Sequence, residues 1–222
     1  MALAAAARDW TRAGLTTAAA SAAYGFALGS AHSELYALRN LLKFPLLIAV
    51  TSATCALSWW VVGRSFALPL SFADVQRSGL RWYRDAAFLL ASLAPIVLFL
   101  ARVARAHDDG QLGEYDSFLL LNMVSVAGCG GLALGLQARA LLREHGVGAR
   151  RSSAVVACWL ALTLAVGGQA AFWMRPFFGF PATRGGSPPF FLGAAPDVRG
   201  ATNFYEALWQ TLVRPPLPES WP

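Results

Sequence analysis

The residues able to do chemistry are few in this sequence and poorly spaced for it. Its three histidines, His32, His107 and His145, fall at expected helix ends or in loops, so they cannot face each other between helices as the ligands of a membrane haem must. Cys55, Cys129 and Cys158 each sit inside an apolar stretch, with no partner at short spacing, and read as reduced packing residues. His32 and His107 could share one side of a membrane with Glu34, Asp108, Asp109, Glu114 and Asp116 as a surface metal site, but solvated loops have the same composition. The sequence contains no HExxH, GxSxG, phosphate-binding loop or CxxC. Nor does any ionisable residue stand in the middle of an apolar run, where an ion-coupled carrier needs a charge that changes partners. The expectation is a chain with no catalytic site, no cofactor and no metal centre. An enzyme acting on lipid, with Arg175 or the acidic loop as its site, has only the presence of those residues behind it.

The chemistry the sequence does support is helix packing. Gly25 and Gly29 form a GxxxG spacing, Gly131 and Gly135 another, and Ala157, Ala161 and Ala165 give a stripe of small residues. Each lets two backbones approach closely in lipid, where packing and hydrogen bonds rather than the hydrophobic effect hold helices together. These faces serve either the bundle itself or another subunit. Asn122, Gln169, Thr51, Thr54 and Ser58 can hydrogen-bond between helices, each for roughly 1 kcal/mol. Pro95 removes a backbone donor inside a span and is expected to kink it.

These residues need long apolar helices to carry them. Of 222 residues 56% are apolar and 14% charged, against about 25% charged in an ordinary soluble domain, and the mean hydropathy is +0.48. The fold class expected is an all-α integral membrane helical bundle. Four runs, Phe44 to Gly63, Ala86 to Ala104, Ser117 to Ala138 and Ser152 to Met174, can cross a hydrocarbon core of about 30 Å. Ala13 to Ala31 is a fifth, marginal span, uncharged but built mostly of Ala, Ser, Thr and Gly. Arg64, Arg77, Arg81 and Arg84 lie in one connection and Arg139, Arg143, Arg150 and Arg151 in another, which places both in the cytoplasm and the C-terminus outside. The N-terminus lacks the basic region and cleavage site of a secretory signal, so the first helix is expected to be retained.

Two further segments read as amphipathic helices lying on the membrane. In Phe72 to Arg84 the apolar Phe72, Val75, Trp82 and Tyr83 recur at helical spacing opposite Arg77, Arg81 and Arg84. In the second, Asn203 and Glu206 stand in capping positions ahead of Phe204, Tyr205, Leu208, Trp209, Leu212 and Val213. The chain thus divides into a transmembrane bundle, residues 1–174, and an extracytoplasmic Pro- and Phe-rich tail, residues 175–222. Phe177, Phe178, Phe190 and Phe191 offer more apolar area than such a tail can bury on itself. They are therefore expected to dock, with Trp209, on the bundle or a partner, while Arg175 fixes the exit of the chain through a lipid phosphate or a tail carbonyl.

The run Ala37 to Phe66, beginning Ala-Leu-Arg-Asn-Leu-Leu-Lys-Phe-Pro, resembles the first strong span of an uncharacterised bacterial multipass family loosely similar to Yip1-like membrane proteins. Gln169 to Phe178 and Asn203-Phe204-Tyr205-Glu206 resemble the C-terminal part of that family. The resemblance covers about a third of the chain and implies a compact bundle of four or five helices in a bacterial inner membrane, with no known activity. The functional expectation is a non-catalytic accessory subunit or scaffold. Its partners would be other integral membrane subunits and lipid headgroups, not nucleic acid, and the same faces also suit a homo-oligomer. The alternative is a small oligomeric channel or carrier whose uncharged path is lined by Asn122, Gln169, Thr51 and Ser58.

Overall fold

The computed structural model describes residues 2–31, 33–106, 112–177, 189–196 and 200–213. Every regular element among them is a helix: α1 (Ala2–Gly29), α2 (Glu34–Ser65), α3 (Phe72–Ala106), α4 (Leu112–Glu144), α5 (Ala149–Trp173) and α6 (Phe204–Val213). The helices α2 to α5 are long and apolar enough to cross a membrane, so the chain has the architecture of a multipass membrane bundle. Less apolar, α1 falls outside that group but is a fifth long helix packed along α2 and α3.

Capping sets where the helices begin, and it carries them past the apolar runs. Ser33 caps α2 by accepting a hydrogen bond from the Tyr36 amide at 3.4 Å, ten residues ahead of the expected start at Phe44, and the helix continues through Pro45. At α3, Ser71 and Asp74 form a reciprocal box, Asp74 N donating to Ser71 Oγ at 3.1 Å and Ser71 N to Asp74 Oδ2 at 3.2 Å. No break follows it. The segment Phe72 to Arg84, expected as a separate surface helix, runs directly into the span to make one helix of 35 residues that also passes through Pro95. Its apolar residues Val75, Trp82 and Tyr83 are buried in the bundle rather than laid on a membrane. Gly146, at φ +67°, ends α4 in the left-handed conformation that glycine adopts at no steric cost.

Among the described residues two apolar cores fill the bundle. One lies at the end that carries the α2–α3 and α4–α5 connections, where Trp59, Trp82, Tyr83 and Trp159 pack with Leu134 and Leu142. Its indoles are satisfied between helices: Trp159 Nε1 donates to Trp59 O at 2.9 Å, Trp59 Nε1 to Thr163 Oγ1 at 3.2 Å and Trp82 Nε1 to Gly130 O at 2.7 Å. The second core, at the other end, gathers Tyr24, Leu28, Phe44, Val97, Ala101 and Phe118 from α1 to α4.

The first GxxxG pair is a contact within the chain. A Cβ on Gly25 would come within 2.5 Å of Asn40 O, and one on Gly29 within 2.5 Å of Tyr36 O. As the chain steps back a turn from Gly29 to Gly25 its neighbour advances a turn from Tyr36 to Asn40, so α1 and α2 form a close antiparallel hairpin. Around Gly135 nothing lies within 4 Å, and Gly131 meets only Leu160 Cδ1 at 3.7 Å. Gly25→Leu or Gly29→Leu is therefore expected to cost at least the 1–3 kcal/mol typical of overpacking, about, read as a lowered Tm in mild detergent. Gly135→Leu should leave the Tm unchanged, and equal melting of all three would show that this contact does not hold the bundle.

Candidate functional site

The most unusual chemistry lies where α5 ends. Lys43, the only lysine among the 18 Lys and Arg residues, is fully buried on α2. Its Nζ donates to Pro176 O at 2.6 Å and lies 5.6, 5.0 and 5.6 Å from the ring centroids of Phe177, Phe190 and Phe191. One turn earlier on the same helix, Asn40 Nδ2 donates to Phe177 O at 2.5 Å. Among the described residues no carboxylate pairs with the ammonium, so it is held by a carbonyl and three aromatic faces. A carbonyl dipole and ring quadrupoles are the neutral partners that a desolvated cation can use.

The sequence builds this strap in steps. After Met174 the chain leaves α5 through a cis Arg175–Pro176 bond, and the Pro176 and Phe177 carbonyls accept from Lys43 and Asn40 of α2. Arg175 pins the returning chain. Its guanidinium donates to Phe172 O at 2.6 Å and Ala195 O at 2.8 Å and stacks 3.4 Å above the Phe172 ring. Leu192 N donates to Arg175 O and Gly193 N to Trp173 O, at 2.8 and 2.9 Å. Beneath the strap, Phe177 packs edge-on against Phe44, and Phe44 against Tyr24, both at 5.4 Å. Tyr24 in turn donates to Asn122 Oδ1 at 2.8 Å, tying α1 to α4.

The residues singled out in the sequence separate into distinct places. Arg175, Phe177, Phe190 and Phe191 come together around Lys43, and the carbonyl that Arg175 reaches is one of the tail's own. Phe178 lies outside the described residues, as do His32, His107 and the side chains of the acidic loop. Trp209, on α6, is 67% exposed rather than docked. Gly25 and Gly29 seat α1, whereas Ala157, Ala161 and Ala165 face outward on α5. Asn122 and Gln169 each hold a different helix, accepting from Tyr24 of α1 and from the Phe204 amide of α6. A cavity beside Trp59, Gly79 and Trp82 is about 10 Å³, the room of one water. No group of three His, Cys, Asp or Glu among the described residues is placed to hold a metal. Sequence reasoning missed Lys43 and Asn40 as buried groups. The signals present were a lone lysine in an arginine-rich chain and its position one residue before an apolar run.

Because Lys43 is the only lysine, amine-reactive labelling reports directly on the strap. The intact protein should resist modification at Nζ. A desolvated cation–π contact is worth about 2 kcal/mol, and about 1.4 kcal/mol is tenfold in an opening equilibrium, so Phe190→Ala should raise the labelling rate by roughly tenfold or more. Arg175→Ala should do the same by freeing Ala195. Rapid labelling of the unaltered protein, measured by peptide mass spectrometry, would show that the strap does not cover the lysine.

The chain matches no family model, no curated protein and no solved structure.

Proposed function

We propose that the chain is a non-catalytic membrane protein that works by contact, as an accessory subunit or scaffold of a larger bacterial inner-membrane assembly. One observation carries this reading. On α5 the small residues Ala157, Ala161 and Ala165 are turned outward at four-residue spacing, and Gly168 continues the same face. At Gly168 the face is already used: a Cβ there would come within 2.5 Å of the Phe204 ring, which fills the place of the missing side chain. The outer end of the stripe thus receives a helix of this chain, and its remainder offers the same close approach to a helix from elsewhere.

The orientation proposed puts the arginine-bearing connections in the cytoplasm and the tail outside. Its support is that the α2–α3 and α4–α5 connections lie at one end of the bundle, where Arg151 hydrogen-bonds to Phe66 O. The strap and α6 follow the opposite end of α5.

Ala161→Phe tests the contact reading. Substitutions at exposed positions usually change stability by less than about 0.5 kcal/mol, so the bundle should melt as before while the chains that co-purify with the unaltered protein in mild detergent are lost. Retention of the same chains by the variant would sink the proposal. Reporter fusions at Gly79 and Gly146 should read as cytoplasmic, and an extracytoplasmic signal at Gly146 would reverse the topology.

A further inference from the structure

The tail helix α6 sits deeper than a helix resting on a membrane surface. Tyr205 donates its phenol to Leu164 O at 3.2 Å, Phe204 N donates to Gln169 Oε1 at 3.3 Å, and the Phe204 ring lies over Gly168. These three positions on α5 are four to nine residues before its end at Trp173, or roughly 6–14 Å along the helix axis. With 25 residues α5 is about 37 Å long, only about 7 Å more than a hydrocarbon core. Even if all of that surplus projects on the tail's side, the Leu164 carbonyl lies inside the apolar layer. The α6 backbone begins beside Gln169, near the edge of that layer, and its Tyr205 side chain reaches down to the Leu164 carbonyl among the acyl chains.

Its composition fits that level. The outward residues of α6 are Tyr205, Trp209, Leu212 and Val213, with Trp209 and Leu212 67% and 63% exposed. Tyr and Trp are the side chains that anchor at the boundary between acyl chains and headgroups. The one charged residue of α6, Glu206, is turned back into its own cap, where its carboxylate accepts from Thr202 N at 2.9 Å and Thr202 Oγ1 at 3.1 Å. Asn203 Oδ1 completes the cap by accepting from Glu206 N at 3.0 Å. Among the described residues this leaves no charge on the outward side of α6 to oppose lipid. The face is also continuous with the lipid-facing surface of α5, where Leu164 and Trp173 are exposed.

We infer that the outward face of α6 is inserted among the acyl chains of the leaflet on the tail's side, so that α6 is a membrane-embedded brace on α5 whose partner is lipid. The inference rests on the membrane-spanning architecture and not on the contact function proposed above. Its test uses the full chain purified free of other proteins. With Cys55, Cys129 and Cys158 replaced by alanine, a nitroxide is placed at position 212 in phosphatidylcholine–phosphatidylglycerol bilayers. Position 96, outward in the middle of α3, serves as lipid reference and position 144, at the end of α4, as water reference.

The accessibility of the label to oxygen, relative to a water-soluble nickel reagent, should at position 212 approach that at 96 and exceed that at 144 several-fold. A ratio equal to that at 144 would place the face in water. A label shielded from both reagents would place it against protein. Either result overturns the inference. Where the cysteine replacements prevent folding, lipids brominated near the headgroup should quench the unaltered protein more than Trp209→Phe, and equal quenching of the two overturns it as well.

Discussion

The approach of α1 to the backbone of α2 at Gly25 and Gly29 is the contact on which the rest of the arrangement depends. Built of Ala, Ser, Thr and Gly, α1 gains little from entering lipid, and lipid offers helices no hydrophobic reason to associate. What holds it is the close fit that two glycines permit, with Tyr36 O and Asn40 O occupying the space of their absent side chains. That fit brings Tyr24 against Phe44 and within hydrogen-bonding distance of Asn122. The second core closes around these residues, and Phe177 of the tail packs on the surface they form. A side chain at Gly25 would thus reach the strap through Phe44, which a Cβ at Gly25 would approach to 2.9 Å.

The strap solves a desolvation problem specific to lysine. An ammonium taken out of water costs several kcal/mol, about, even after relaxation. No counter-charge among the described residues repays it. Instead the site combines the carbonyl of Pro176 with three ring faces at the C-terminal end of α5, where the helix dipole is negative. The compact head of lysine fits among the rings, whereas a guanidinium would bring five donors in a rigid fork to a place with one free carbonyl. Arginine is used where its fork finds acceptors: Arg175 bridges Phe172 O and Ala195 O on the rim of the same cluster. Such a site specifies one position of the tail more than it stabilises the bundle, since each partner is lost if the strap shifts by a residue.

The four apolar spans were legible because hydropathy reports the need to satisfy backbone groups inside lipid. Their ends were not, because the helices continue past the apolar layer under the control of caps. Ser33 starts α2 ten residues before the apolar run. In Phe72 to Arg84 a helical period with arginines on one side reads as a surface helix, but the same period arises where a helix outlasts the membrane and packs on its neighbours. Trp82 against Trp59, at 4.9 Å, decides for the second case. Spacing alone also could not distinguish Gly25 and Gly29, in contact, from Gly135, open on one side. The Lys43 site was hidden for a different reason. Its acceptor is 133 residues away, and no local pattern records a pairing of that length.

The outer surface of the bundle is uneven in a way that lipid does not require. Acyl chains accept any apolar side chain, and α3 and α4 meet them with bulky ones, Phe88, Ile96 and Phe99 on α3 and Leu121, Val124, Leu132 and Leu136 on α4. On α5 the outward positions Ala157, Ala161 and Ala165 are small, as are Ala127 and Gly128 on α4, although a larger residue at each would bury more area in lipid at no cost in packing. The benefit of a small residue appears only when another backbone comes close, as at Gly25 and again at Gly168. The bulky faces therefore fit a fluid neighbour and the small-residue faces a shaped one. On α5 the small-residue stripe continues past the place where α6 stops covering it.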